Sequence, residues 1–182
     1  MITVKTALVS DAPTISFLGR KTFTETFAHL FDSDELNNYL DDTFNISKLE
    51  HSLLKNRNIF GILHYSDKPI GYYKVKIGSH YDNSVDEDFA QLQKIYILRD
   101  YLDLKLGNVM LDHIMHLKEI ADCKTIWLVV LSTNSRAVHF YLKQGFKKID
   151  NYYYLIGTRR LEYDLMTKNI KKSPSIDGDF KK

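Results

Sequence analysis

The stretch Ile95 to Leu111, IYILRDYLDLKLGNVML, constrains the fold of this chain more than any other. Ile95, Tyr96 and Ile97 form a β-branched and aromatic run that reads as a strand. A polar turn and then a helix come next. A strand that feeds a helix through a turn presents backbone N–H groups to a phosphate in many α/β proteins. The turn is not glycine-rich, because Gly107 stands alone in Lys105-Leu106-Gly107-Asn108. Taken by itself, the stretch reads more readily as an ordinary strand-turn-helix corner, since short glycine motifs match by chance.

The residues C-terminal to this corner narrow the choice. Leu106, Met110, Ile114, Leu117 and Ala121 recur at helical steps, which predicts one apolar stripe. Thr125 to Leu131, TIWLVVL, is almost wholly apolar and reads as a strand buried on both faces. Ser132 to Asn134 then cap a helix carrying Ala137, Val138, Tyr141 and Leu142, and Gly145 ends it at a left-handed position. Phe146 to Ile156 and Arg160 to Thr167 read as two closing strands with Gly157 at the turn.

The N-terminal half supplies the rest. Ile2 to Thr6 alternates as a first strand. Ser10, Asp11 and Pro13 open a helix with Ile15, Leu18, Phe23, Phe27 and Leu30 inward. Ser33 and Asp34 cap a second helix, with Leu36 and Leu40 inward. Asn45 or Ser47 starts a third, with Leu49, Leu53 and Leu54 inward. Asn58 to Tyr65 and Ile70 to Gly78 form a hairpin around Ser66-Asp67-Lys68-Pro69, and Phe89 to Leu98 is a long strand. This order predicts an α/β (α+β) fold: a single mixed, mostly antiparallel central sheet of about seven strands flanked by helices. Residues 1–170 are expected to be one domain, and the polar segment 171–182 a mobile tail.

Composition excludes several function classes. A hydrophobic fraction of 44% with 26% charged residues belongs to a globular chain rather than a disordered one. Cys123 is the single cysteine, so neither an internal disulfide nor a cysteine metal site is available, and no metal is expected. The N-terminus lacks the pattern of a signal peptide, and no apolar run approaches the roughly 20 residues of a membrane span. A cytoplasmic protein with no membrane partner is expected. A formal net charge of +2 is too small to argue for nucleic acid. Charge is locally uneven, however. Asp32, Asp34, Glu35, Asp41, Asp42 and Glu50 form one acidic group, and Asp82, Asp86, Glu87 and Asp88 a second. Each is either a solvated face with helix N-termini or a site for a cationic substrate.

The block WLVVLSTNSRAVHFYLKQGF, Trp127 to Phe146, carries Asn134, Ala137, Phe140-Tyr141, Lys143 and Gly145-Phe146 after a buried strand. With Gln93-Lys94-Ile95-Tyr96-Ile97 and the helix after it, this resembles the GNAT superfamily of acyl-CoA N-acyltransferases. Thr22-Phe23-Thr24-Glu25-Thr26-Phe27 looks like one branch, the bacterial spermine/spermidine N-acetyltransferases. The resemblance implies direct transfer of an acetyl group from acetyl-CoA to a primary amine, with a cationic polyamine as acceptor. It also implies a V-shaped cofactor cleft and a homodimer. The turn Leu102, Asp103, Leu104, Lys105, Leu106, Gly107 and Asn108 would cradle the pyrophosphate. Ile95 and Ile97 would hold the pantetheine arm, with the Ile97 N–H polarising the carbonyl. Asn134, Ala137 and Lys143 would contact the cofactor, and Tyr141 would be the general acid.

The sequence departs from the family pattern at several positions. Leu102 and Lys105 replace the first polar residue and the first glycine of the cradle. Gln91 and Gln93 stand where carboxylates are common, so a glutamine-ordered water, Glu25, Asp88 or one of the seven histidines is left as the proton acceptor. Val129 stands where a glycine is common, which narrows the cleft. These departures keep two further readings open: a degenerate relative with a sensing or interaction role, and acetylation of a peptide or protein amine.

Overall fold

The computed structural model describes residues 1–156 and 159–170. Within them one sheet holds β1 (Ile2–Thr6), β2 (Asn58–Tyr65), β3 (Lys68–Ile77), β4 (Phe89–Ile97), β5 (Thr125–Leu131), β6 (Lys147–Ile156) and β7 (Arg159–Asn169). The strands lie in the order β1-β2-β3-β4-β5-β7-β6. Each neighbouring pair is antiparallel except β4 and β5, which run parallel. This is the mixed, mostly antiparallel sheet that the sequence predicts. The expected turn at Gly157 and the tail 171–182 lie outside the described residues.

Helices cover both faces. On one face, α1 (Ala12–Phe27), α2 (Ser33–Thr43) and α3 (Ile46–Leu53) bring in Ile15, Leu18, Phe23, Leu40 and Leu49, all buried. On the other, α4 (Leu106–Met115) contributes Leu106, Met110, Leu111 and Ile114. Tyr72 and Tyr73 show the two-sidedness directly. They are consecutive, so they point to opposite faces, and both are fully buried. Tyr72 packs beside Tyr96, whereas Tyr73 meets the His113 ring of α4.

Several local expectations need correction. The stripe from Leu106 does not run to Ala121: α4 stops at Met115, and a separate four-residue helix, α5 (Lys118–Ala121), buries Ile120 and exposes Ala121. After β5, α6 (Ser135–Lys143) returns over the sheet. Asp32 caps α2, its carboxylate accepting from the Glu35 N–H at 2.8 Å, so Ser33 and Asp34 lie inside the helix. Asn45, not Ser47, caps α3, and Leu54 is exposed. The β2–β3 turn is tighter than expected. Ser66 and Asp67 both take positive φ, the geometry of a two-residue hairpin turn, and Lys68 and Pro69 already belong to β3. Pro69 is tolerated because the ladder shifts register beside it.

Candidate functional site

Parallel pairing between β4 and β5 lasts for only three residue pairs, Phe89–Thr125, Ala90–Ile126 and Gln91–Trp127. Beyond Gln91 the strands part, and the remaining length of β4 faces a gap. A β-bulge marks the divergence. Lys74 of β3 pairs with Lys94, but Val75 pairs with Leu92, so Gln93 is the extra residue. Bulges bend the strand that carries them and are common beside active sites. The Leu98 N–H donates to the Ile70 carbonyl at 2.8 Å, toward β3. Peptide groups alternate edges along a strand, so Ile97 and Ile95 present their N–H groups to the side that β5 has left. Val129, beyond the last β4 pair, is half-buried and pairs with Leu165 of β7.

The predicted cradle lies at the end of β4. Arg99–Leu104 winds into a 3-10 turn, Lys105 comes next, and α4 begins at Leu106. Lys105 adopts φ 56° and ψ 24°, the left-handed region. The position therefore does need positive φ, which residue type alone argues that a side chain would not tolerate. The conformation costs a residue with a Cβ about 1–2 kcal/mol, and the fold absorbs it. The Lys105 N-cap makes no side-chain cap bond, and the Asn108 N–H donates to the Lys105 carbonyl at 3.1 Å, so the positive dipole end with the Leu106 and Gly107 N–H groups is what α4 offers to an anion.

Other cradle residues are tied to α6 instead. Asp103 accepts from Arg136 at 3.0 Å, and Asn108 accepts from the Gln144 amide at 2.9 Å. A Cβ on Gly107 would come within 3.3 Å of the Phe140 ring. Glycine at this position lets α6 seat closely on the first turn of α4. Leu104 and Lys143 are exposed, and Leu102 is half-buried.

Tyr141 is placed by a helix end. The Phe146 N–H donates to the Tyr141 carbonyl and the Gly145 N–H to the Leu142 carbonyl, both at 3.0 Å. With Gly145 at φ +83° this is a Schellman motif. Its hydrophobic contact is the Phe146 ring, edge-on to Tyr141 at 5.5 Å. At the other end, the Asn134 side chain accepts from the Ala137 N–H at 3.2 Å, so both residues are engaged in capping. Tyr141 is 8% exposed. Burial raises its ionisation well above the ordinary tyrosine range, so the phenol keeps its proton at neutral pH. Tyr96 of β4 is shifted upward too, first by burial and then by the nearby Tyr39, Tyr141 and Tyr163 phenols. Four elements thus bring tyrosines to one region.

The glutamine and carboxylate candidates for proton acceptor are engaged, whereas among the described residues His64 Nδ1 and His113 Nε2 are buried without a partner. The Gln93 amide donates to Gln91 Oε1 at 2.8 Å, and the Ser79 hydroxyl approaches the same oxygen at 3.5 Å. Glu25 accepts from the Arg99 N–H at 2.9 Å. Asp88 pairs with Lys124. In the acidic groups, Asp41 accepts from Arg20 at 2.7 Å, Asp42 pairs with Lys48, Glu87 with Arg57 and Asp82 with His80. Hydrogen bonds from Ser84, the leading cause, and from His80 hold the Asp82 carboxyl at about 2. Cys123 is buried, and burial pushes its thiol up to about 11, so it is a packed residue rather than a nucleophile. Among the described residues no group of His, Cys, Asp and Glu is arranged to hold a metal, and no helix is long and apolar enough to cross a membrane.

The structure also shows residues that the sequence reading missed. Lys74 and Lys94 stand opposite one another on the face covered by α1 to α3. Tyr39 and Tyr163 stand near Tyr96. Each is one charge or phenol in an apolar alternation, and only cross-strand register brings them together.

The two parallel strands thus splay beside the N-terminus of α4 and the buried Tyr141. The acetyltransferase (GNAT) family model matches residues 24–146, and the chain belongs to that family. It is accordingly an acetyl-CoA-dependent N-acetyltransferase. An uncharacterized N-acetyltransferase of Lactobacillus delbrueckii subsp. lactis is 24% identical over 92% of this chain and 98% of its own length. A probable spermine N(1)-acetyltransferase of Bacillus subtilis subsp. natto is 29% identical over 47% of this chain and 57% of its own. The PaiA N-acetyltransferase of Thermoplasma acidophilum, solved in complex with coenzyme A, superposes with a TM-score of 0.75. It covers 93% of this chain and 99% of that one at 19% identity, a likeness of fold.

Proposed function

We propose that the cleft transfers the acetyl group of acetyl-CoA directly to the primary amine of a small molecule. One observation carries the reading: the β4–β5 ladder ends at Gln91–Trp127, leaving the Ile95 and Ile97 N–H groups directed at a gap, and Tyr141 holds a buried, protonated phenol nearby. The N-terminus of α4 and the Lys105 side chain bind the pyrophosphate. Backbone groups of Ile95 and Ile97 hold the pantetheine arm as an extra strand would be held. The Ile97 N–H polarises the thioester carbonyl. A C–N bond forms as the C–S bond breaks. Tyr141 gives its proton to the departing thiolate, and the amine proton leaves through water ordered by the Gln91–Gln93 pair.

A cationic polyamine acceptor has the support of the likeness to the probable spermine N(1)-acetyltransferase of Bacillus. The geometry gives it less, because Asp41, Asp42, Glu87 and Asp82 already hold Arg20, Lys48, Arg57 and His80. The test is free-thiol release from acetyl-CoA with a panel of primary amines that includes spermidine. Amine-dependent release supports the reading, and release by none of them contradicts it.

A further inference from the structure

One face of the β3–β4 ladder carries two positive charges. Lys74 and Lys94 are directly opposed in the β3–β4 ladder, and neither is fully exposed. The Lys94 ammonium stands 5.4 Å from the Phe44 ring and 5.9 Å from the Tyr96 ring, and that of Lys74 stands 5.3 Å from Phe60. Among the described residues, neither ammonium has a carboxylate or a hydrogen-bond acceptor. Cross-strand from Tyr96 lies Tyr72, fully buried, with a hydroxyl that also lacks a partner. One face of two neighbouring strands therefore carries two ammonium groups beside the Tyr72 and Tyr96 phenols, and among the described residues no carboxylate pairs with either ammonium.

Like charges set opposite one another in a partly desolvated site disfavour each other. Both lysines are depressed to about 8, by burial first. The opposing Lys74 charge then acts on Lys94, and the Lys55 and Lys76 charges act on Lys74. Aromatic faces offset part of this cost. A bound anion offsets far more, because charge-assisted hydrogen bonds to an oxyanion are the strong ones. The same block leads along β4 to Tyr96, which lies near Tyr141, so an anion held there sits on the strand that borders the cleft.

We propose that the amine acceptor carries an oxyanion, a carboxylate or a phosphate, which binds at Lys74 and Lys94 while its amine reaches the thioester. The proposal rests on the acetyltransferase reading and narrows its substrate class. A polycation is the acceptor this block would repel.

Three acceptors of one chain length test it: an α,ω-diamine, an ω-amino acid and an ω-aminoalkyl phosphate, each assayed by thiol release. The expected result is a kcat/KM for one of the two anionic acceptors at least tenfold above that of the diamine. Whichever is favoured identifies the anion. In Lys74→Gln and Lys94→Met the preference should fall to within threefold of unity through the acceptor KM, with the acetyl-CoA KM unchanged. Preference for the diamine overturns the proposal, as does a change confined to the acetyl-CoA KM. A second measurement does not need turnover. At constant ionic strength, phosphate or acetate should raise the Tm of the intact protein above chloride, and Lys74→Gln should remove the shift. No anion-dependent shift overturns the proposal even if no acceptor reacts. A Lys74-dependent shift without thiol release from any amine keeps the anion site and instead contradicts the transferase reading.

Discussion

Glu25 and Arg99 are joined twice. The Glu25 carboxylate accepts from the Arg99 backbone N–H at 2.9 Å, and the Arg99 guanidinium donates to the Glu25 carbonyl oxygen. The pair pins the end of α1 to the first residue of the turn that becomes the phosphate cradle. The two contacts make a positioning role the expectation for Glu25. Glu25→Ala should lower stability by about 1 kcal/mol, as loss of a cap does. It should raise the acetyl-CoA Kd several-fold and leave kcat at saturation within about threefold. Loss of kcat at saturating cofactor would return Glu25 to the proton path.

Lys105 is held in left-handed backbone that glycine adopts freely. Lys105→Gly should therefore stabilise the protein by a few tenths to about 1 kcal/mol, read from urea unfolding. Glycine also removes one cation from the cradle, so the acetyl-CoA Kd should rise about two- to fivefold, and the rise should shrink at high salt. A salt-independent loss of all binding would mean that the side chain shapes the cradle rather than adding charge to it.

Much of this site was legible because it is local. The Schellman end that seats Tyr141 needs only Tyr141, Gly145 and Phe146 in sequence, and Asn134 capping Ala137 spans three residues. The buried TIWLVVL strand and the sheet of about seven strands come from hydrophobic period. Distant pairings escaped. That Asp41 belongs to Arg20 and Glu87 to Arg57 depends on how α2 crosses α1 and how a loop folds back. The opposition of Lys74 and Lys94 depends on a bulge at Gln93, which shifts register by one residue. The positive φ at Lys105 escaped as well, since residue type argues against it.

Lys94 gives a pH signature. Its folded value lies near 8 against an ordinary 10.5. Between those values the unfolded chain binds more protons, so stability rises with pH across that window, and the penalty is complete below it. Lys94→Met removes the buried charge and should stabilise the anion-free protein by about 1–3 kcal/mol at pH 7. The gain should shrink toward zero by about pH 10. Urea unfolding at both pH values reads the difference, and an equal effect at both would contradict a charge origin.

Transfer through Tyr141 is tested most directly by Tyr141→Phe, which keeps the ring against Phe146 and removes only the hydroxyl. Calorimetry gives the acetyl-CoA Kd, and thiol release gives kcat with the best acceptor found. The expected result is a kcat lowered about 100-fold or more, in the range of general acid catalysis, with the Kd unchanged within about twofold. An unchanged kcat, or a loss that tracks weaker acetyl-CoA binding, would remove Tyr141 from the chemistry.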